Sequence, residues 1–341
     1  MEMGGNYGRN NRIMNYSTAQ QAIDYVVTNT KSKDIYVCFF GGEPLIGYVL
    51  MKKIIKYCNE VADTSNIKFH YSLTTNATLI NEERANFLKS NDVSTLVSID
   101  GDKKVHDSYR LLNDNSPSHD KVISGINALK KSGIRFSTRA TICAPNLELY
   151  NIFKYEKSLG ANNVILSLVS AQKDNSLHVG KIYHNDIINE YQKIADDYFA
   201  TIVGGDYKAK NIFRKTIGAF YYKKMRINPC GAGTNMVAIN YEGNIFPCQR
   251  FMGDDNYVIG NINDGIDEKL RERFTYYNVT RTYCSECWAK HLCAGSCHHT
   301  RMTSGDMVSE NCDIILKIYE IAIFLYWRLK QFDPQIFKKI F

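Results

Sequence analysis

Asp34-Ile-Tyr-Val-Cys-Phe-Phe40, followed at once by Gly41-Gly42-Glu43-Pro44, is the stretch that decides the fold class. Its apolar, β-branched and aromatic residues read as a buried strand, and the two glycines end it. Upstream, Ser17-Thr-Ala-Gln20 reads as a capping box opening a helix through Asn29. Downstream, a helix is expected over about 45–62, and then a strand at Lys68–Leu73 ending in Thr74-Thr75-Asn76. A helix at Glu82–Ser90 leads to a strand at Ser94–Ile99 that ends in Asp100-Gly101. Helices near 120–131 and 147–159 then alternate with strands Arg135–Ile142 and Asn163–Leu168. Strands and helices alternating at this pitch predict right-handed βαβ units and a parallel sheet, an α/β fold.

Polar residues interrupt the pattern at the C-terminal ends of the strands, where a parallel barrel keeps its chemistry. Gly41-Gly42-Glu43-Pro44, Thr74-Thr75-Asn76, Ser98-Ile-Asp100-Gly101 and Arg139 hold those positions. Glycines there let a ligand approach the backbone, and Glu43 and Asp100 are suited to an amino group. Taken alone, Gly-Gly-Glu-Pro also reads as a simple turn before a helix.

Beyond Leu168 a long helix is expected over about 186–225, and then the composition changes. Cys284-Ser-Glu-Cys287-Trp-Ala-Lys-His-Leu-Cys293-Ala-Gly-Ser-Cys297 has the spacing C-x2-C-x5-C-x3-C, with Cys230 and Cys248 upstream and Cys312 downstream. A packed core has no need of cysteines this close, whereas thiolates at such separations converge on zinc or iron–sulfur clusters. Met236–Asn240 and Ile245–Cys248, around Tyr241-Glu-Gly-Asn244, read as a hairpin, and Ile314–Phe332 has helical periodicity. Cys38, Cys58 and Cys143 lie in apolar surroundings and are expected to be small core residues.

The 341 residues suffice for one large and one smaller domain, and 44% hydrophobic content places the chain among globular proteins. A net charge of +7 without a dense basic block speaks against a nucleic-acid partner. The longest apolar run, Ile321 to Trp327, is broken by Arg328 and too short to span a bilayer. With no apolar segment in Met1–Arg12, no signal peptide is expected; the expected compartment is the cytoplasm, where the ten cysteines stay reduced.

Phe39-Phe40-Gly41-Gly42-Glu43-Pro44-Leu45, Thr74-Thr75-Asn76-Ala77-Thr78, and Ser98-Ile99-Asp100-Gly101 with His106-Asp107 and Arg110 together resemble the radical S-adenosylmethionine (SAM) enzymes. The resemblance implies a partial (β/α)6 TIM-like barrel. It places Gly41, Gly42, Glu43, Ser98 and Arg110 around SAM, with Thr75, Asn76 and Arg139 as neighbours and Leu166 as an adenine contact. The cysteine pattern resembles the SPASM extension of that superfamily, all seven of whose positions are filled. It implies a small cysteine-rich α+β domain with two auxiliary [4Fe–4S] clusters. Cys284, Cys287, Cys293 and Cys312 would hold one, and Cys230, Cys248 and Cys297 the other, with one iron left open for a substrate thiolate. His298 and His299 follow a ligand cysteine and are expected either to tune a cluster or to be solvated. On this pattern residues 1–215 form the core domain, 216–313 the SPASM domain and 314–341 a helical tail.

The family's C-x3-C-x2-C loop, which leaves one iron free to chelate SAM, is not found in residues 1–341. Gly4-Gly-Asn-Tyr7-Gly8 and Met14-Asn-Tyr-Ser17 resemble the family's sequence just after the third cysteine of that loop. The chain is therefore expected to lack the first barrel strand, to have an incomplete SAM pocket, and to be unable to form the 5′-deoxyadenosyl radical. The full-length form is expected to modify a ribosomally made precursor peptide, for example by a thioether crosslink, with electrons from a flavodoxin- or ferredoxin-type donor. Gln249, where sulfatase-maturating relatives carry an Asp, points away from sulfatase maturation. The alternatives are a non-catalytic iron–sulfur module that binds a peptide and a zinc-stabilised scaffold.

Overall fold

The computed structural model describes residues 12–171, 174–275, 279, 283–295, 297–304 and 311–341. The Gly4–Gly8 resemblance lies outside them. In chain order the barrel part runs α1 (Tyr16–Asn29), β1 (Asp34–Phe39), α2 (Tyr48–Thr64), β2 (Lys68–Thr75), α3 (Glu82–Ser90), β3 (Ser94–Ser98), α4 (Lys103–Tyr109) and α5 (His119–Ser132). It continues with β4 (Phe136–Ile142), α6 (Leu149–Ser158), β5 (Asn163–Leu168), α7 (His184–Val203) and α8 (Arg214–Tyr221). The five strands form one sheet in the order β1-β2-β3-β4-β5, and β1, β2 and β3 pair parallel. The α/β class and the partial barrel expected from the sequence are present.

The cysteine-rich part adds a four-stranded antiparallel sheet, β6 (Ala238–Ile239), β7 (Asn244–Phe246), β8 (Gly260–Asn261) and β9 (Gly265–Ile266). The β6–β7 pair is the expected hairpin about Gly243, with shorter strands. Helices α9 (Glu268–Thr275), α10 (Lys290–Cys293), α11 (His298–Ser304), α12 (Cys312–Phe332) and α13 (Ile336–Ile340) complete the described chain.

Three expectations need correction. The first helix starts at Tyr16 because Asn15, not Ser17, caps it: Asn15 Oδ1 accepts from Thr18 N–H at 2.8 Å, leaving Ser17 inside the first turn. The long helix is two helices, since α7 ends at Gly204-Gly205 and Gly205 takes a left-handed φ of +98°. Cys38 is exposed, while Cys58 and Cys143 are buried as expected. Strand alternation explains this: Asp34, Tyr36 and Cys38 share the exposed face of β1, and Ile35 is buried on the other. On the exposed face the Tyr36 ring stacks on His70 at 4.6 Å, and His70 Nε2 lies 2.7 Å from Asp34 Oδ1.

The chain forms two compact units: Met1–Ile99, His106–Thr138 and Gly231–Thr275 in one, and Asp100–Val105, Arg139–Cys230 and Tyr276–Phe341 in the other. The first has its core in Leu45, Leu73, Leu88 and Ile126. In the second, α12 packs along α7 with Ile314, Ile321, Leu325 and Leu329 buried. Arg328 fastens that pair by bonding Asp196 and lying 4.1 Å over the Phe199 ring. Among the described residues no helix is long and apolar enough to cross a membrane.

Candidate functional site

Glu43 organises the strand ends of the first unit. It caps the short 3-10 turn Pro44–Gly47, its Oε1 accepting from Leu45 N–H at 3.0 Å. The same oxygen takes the Thr75 hydroxyl at 2.9 Å, and Oε2 takes Asn76 N–H at 2.7 Å. Three donors from two adjoining loops thus fix one carboxylate. Burial pushes its pKa up, against the pull of those hydrogen bonds and of the Arg84 charge. Thr75 also accepts from Ala77 N–H, and Asn76 Oδ1 accepts from both the N–H and the hydroxyl of Thr78. Beside Glu43, a side chain on Gly41 or Gly42 would meet nothing within 4 Å, so both glycines border open space.

Ser98 ends β3, whose Val97 pairs in register with Thr75. Arg110 follows α4 and is held through its backbone. Its N–H donates to the His106 carbonyl at 2.9 Å, and its own carbonyl accepts from Ser118 Oγ at 2.7 Å. Since Ser118 spends its one proton there, His106 Nε2, 3.0 Å from Ser118 Oγ, is the donor to it. Asp107 Oδ1 accepts from Ser118 N–H and His119 N–H, capping α5. His106 and Asp107 therefore clamp the loop that Arg110 begins.

In the second unit Asp100 is buried and accepts from Thr141 N–H at 2.8 Å, which ties it to β4. This backbone bond engages the carboxylate oxygen that the sequence offered to an amino group. Arg139 is exposed on β4, and Leu166 is half-buried on β5.

All seven motif cysteines are free thiols. Cys248, in the first unit, is buried at the start of a short 3-10 turn after β7. Cys230, in the second, is exposed. The Cys284 loop turns tightly, with Cys287 N–H on the Cys284 carbonyl and Lys290 N–H on the Cys287 carbonyl at 3.0 and 3.1 Å. Helix α10 stops at Cys293 because Ala294 and Gly295 take left-handed φ values of 61° and 83°. A Cβ on Gly295 would stand 3.4 Å from Val279 Cγ1, 3.6 Å from Arg301 Nη1 and 4.0 Å from Cys284 Sγ, so this glycine turn packs closely beside that sulfur. Cys293 has its pKa raised, first by burial and further by the thiolates of Cys284 and Cys287, which lie within its electrostatic reach. From α12, which begins at Cys312, Tyr319 donates its hydroxyl to the Leu292 carbonyl at 3.1 Å.

Among the described residues no group of three or more His, Cys, Asp or Glu gathers about a single metal ion. A four-iron cluster takes one thiolate at each iron, so its ligands need not meet at one point. Soft, partly buried thiols within electrostatic reach of one another, as Cys284, Cys287 and Cys293 are, fit such a group. His298 is buried with its pKa pushed down to about 4, and its Nδ1 accepts from Arg301.

Residues 6–147 match the radical SAM superfamily, and residues 230–288 match SPASM, an iron-sulfur cluster-binding domain. The uncharacterized protein MJ0907 of Methanocaldococcus jannaschii is 30% identical over 265 residues, 77% of this chain and 84% of that protein. The chain belongs to the radical SAM superfamily and carries a SPASM domain. A cysteine-type anaerobic sulfatase-maturating enzyme of Clostridium novyi is 25% identical over 80% of this chain and 75% of its own. The solved structure "Native anSMEcpe with bound AdoMet and Cp18Cys peptide" shares the fold, with a TM-score of 0.80 and 20% identity over 96% of this chain and 95% of that one. Of the residues the sequence singles out, the structure brings Glu43, Thr75 and Asn76 together by hydrogen bonds. The sequence carries no sign of the left-handed turn at Ala77 or of the contact of Ser118 with Asp107, eleven residues away.

Proposed function

We propose that this radical SAM/SPASM protein modifies a ribosomally made peptide by hydrogen abstraction leading to a crosslink such as a thioether. Gly41, Gly42, Glu43, Ser98 and Arg110 of the first unit would hold SAM, with Thr75 and Asn76 as their neighbours; Arg139 and Leu166, in the second unit, are the further positions that the resemblance names. The observation that carries this is the Glu43 carboxylate, held by Leu45, Thr75 and Asn76 next to open Gly41-Gly42. A carboxylate whose pKa burial raises is stabilised by a cation, and the ammonium group of an amino-acid-derived ligand supplies one. Bound SAM supplies the radical source, and iron–sulfur clusters at the seven cysteines supply one-electron chemistry. Glu43 orients the amine, and Thr75 and Asn76 hold Glu43.

SAM titration of anaerobically purified protein tests this. Binding that Glu43→Gln weakens about tenfold, the loss of one charge-assisted contact, supports the reading; no binding by the wild type overturns it. Iron analysis should give about eight irons per chain, two four-iron clusters' worth, and stoichiometric zinc instead excludes the clusters.

A further inference from the structure

Next to the loop bearing Cys284, Cys287 and Cys293 lies a segment to which the proposed function assigns nothing. Tyr222-Lys223-Lys224-Met225-Arg226-Ile227 leaves the end of α8 with all six residues exposed. Tyr222, Met225 and Ile227 are 51%, 69% and 52% exposed. From Arg214 to Cys230 there are five Lys or Arg and no Asp or Glu.

The segment is pinned in this exposed position. Arg226 N–H donates to the His291 carbonyl at 2.9 Å, and His291 Nδ1 lies 3.3 Å from the Arg226 carbonyl. Val279 N–H donates to the Ile227 carbonyl at 3.1 Å. Arg226 is thus one backbone hydrogen bond from α10, which ends in Cys293. Trp288, between Cys287 and α10, is 53% exposed as well.

We propose that Tyr222–Ile227, with Trp288, docks an acidic one-electron carrier protein that serves the cluster at Cys284, Cys287, Cys293 and Cys312. This rests on the cluster assignment proposed above. Apolar side chains among cations are the anatomy of a small, charge-steered, transient interface. The absence of acids from Arg214 to Cys230 selects an acidic partner, and the hydrogen bond to α10 puts the patch where a cysteine loop reaches the surface. At each encounter the reduced carrier loses one electron and the cluster gains one; no bond is made or broken.

The test is titration of the anaerobically purified 341-residue holoprotein with a reduced bacterial flavodoxin at low and near-physiological salt. Binding should weaken steeply with salt, and Lys223→Glu/Lys224→Glu should weaken it about tenfold or more at low salt. Met225→Ser should weaken it as well, without adding charge. Lys31→Glu/Lys33→Glu makes the same charge change at exposed positions before β1 and should leave it unaltered. The proposal falls if flavodoxin does not bind, if the two charge-reversed pairs behave alike, or if a poly-glutamate peptide displaces flavodoxin at equal concentration, which would assign the patch to an acidic peptide. Melting curves matching the wild type show that the variants are folded. Failure of the cluster assignment is distinguishable, because the purified protein would then contain zinc or no metal.

Discussion

Gly125 of α5 and Ala77 after β2 are in backbone contact that leaves no volume for a side chain. A Cβ on Gly125 would stand 2.2 Å from the Ala77 carbonyl oxygen. Ala77 is fully buried at φ +60°, and its N–H is bound by the Thr75 hydroxyl that also donates to Glu43. The close approach of α5 therefore sets the height of the Thr75-Asn76 corner, and with it the position of Glu43.

Gly125→Ala carries a decisive sign. In a free helix the change would stabilise by about 1 kcal/mol. Here the added methyl meets a backbone oxygen that cannot rotate away, and overpacking costs about 1–3 kcal/mol. The variant should melt below the wild type and bind SAM more weakly; an unchanged or raised melting temperature would show that α5 can slide.

Glu43 links stability to pH. Its folded pKa is raised above the ordinary carboxylate value of 4.5, so the folded state holds a proton that the unfolded state has released. Its contribution is fully present below that value and is lost as pH rises through the folded pKa. Glu43→Gln removes this dependence and turns an amide N–H toward at least one of the donors Leu45 N–H and Asn76 N–H, at a cost of about 1–3 kcal/mol. The gap in unfolding free energy between wild type and variant should be widest near pH 4.5 and narrow as pH rises. Denaturant unfolding across that window checks the direction, and a widening gap refutes it.

The strand–helix alternation is legible in the sequence because the strands are short and rich in apolar residues, and the first three are closed by Gly41, Asn76 and Asp100. The hairpin at Gly243 is legible for the same local reason. The exposure of Cys38 is hidden because Asp34–Phe40 is apolar enough to look buried on both faces, which masks its period-2 alternation. The break at Gly204-Gly205 is hidden in a stretch otherwise helical in pattern. Glu43, Thr75 and Asn76 stand out as polar residues at strand ends. The residues that hold Arg110 do not, because Asp107 and Ser118 meet only after α4 and its loop fold back.

Asp107→Ala should detach the start of α5 from the Arg110 loop. Two N–H groups, of Ser118 and His119, lose their acceptor. Loss of a helix N-cap costs about 1 kcal/mol, which moderately lowers the melting temperature. Asp107→Asn keeps an oxygen for the same two donors and should restore most of it. If Arg110 meets SAM, Asp107→Ala should also weaken SAM binding where Asn does not. Equal binding by both variants would leave Asp107 a purely structural cap.

Cys293→Ala tests whether the thiols act as sets. Cys293 is half-buried within electrostatic reach of Cys284 and Cys287, and alanine in its place leaves the backbone turn at Ala294-Gly295 intact. Alanine removes one of the four thiolates assigned to that cluster, so iron should fall below the wild-type content, by up to about four atoms per chain, one cluster's worth. Cys58→Ala, a change of a fully buried thiol in the first unit, whereas Cys293 lies in the second, should leave iron unaltered while lowering stability. The comparison separates loss of ligand from loss of fold. Iron and sulfide analysis with melting curves reads both, and full iron in Cys293→Ala would remove that cysteine from the ligand set.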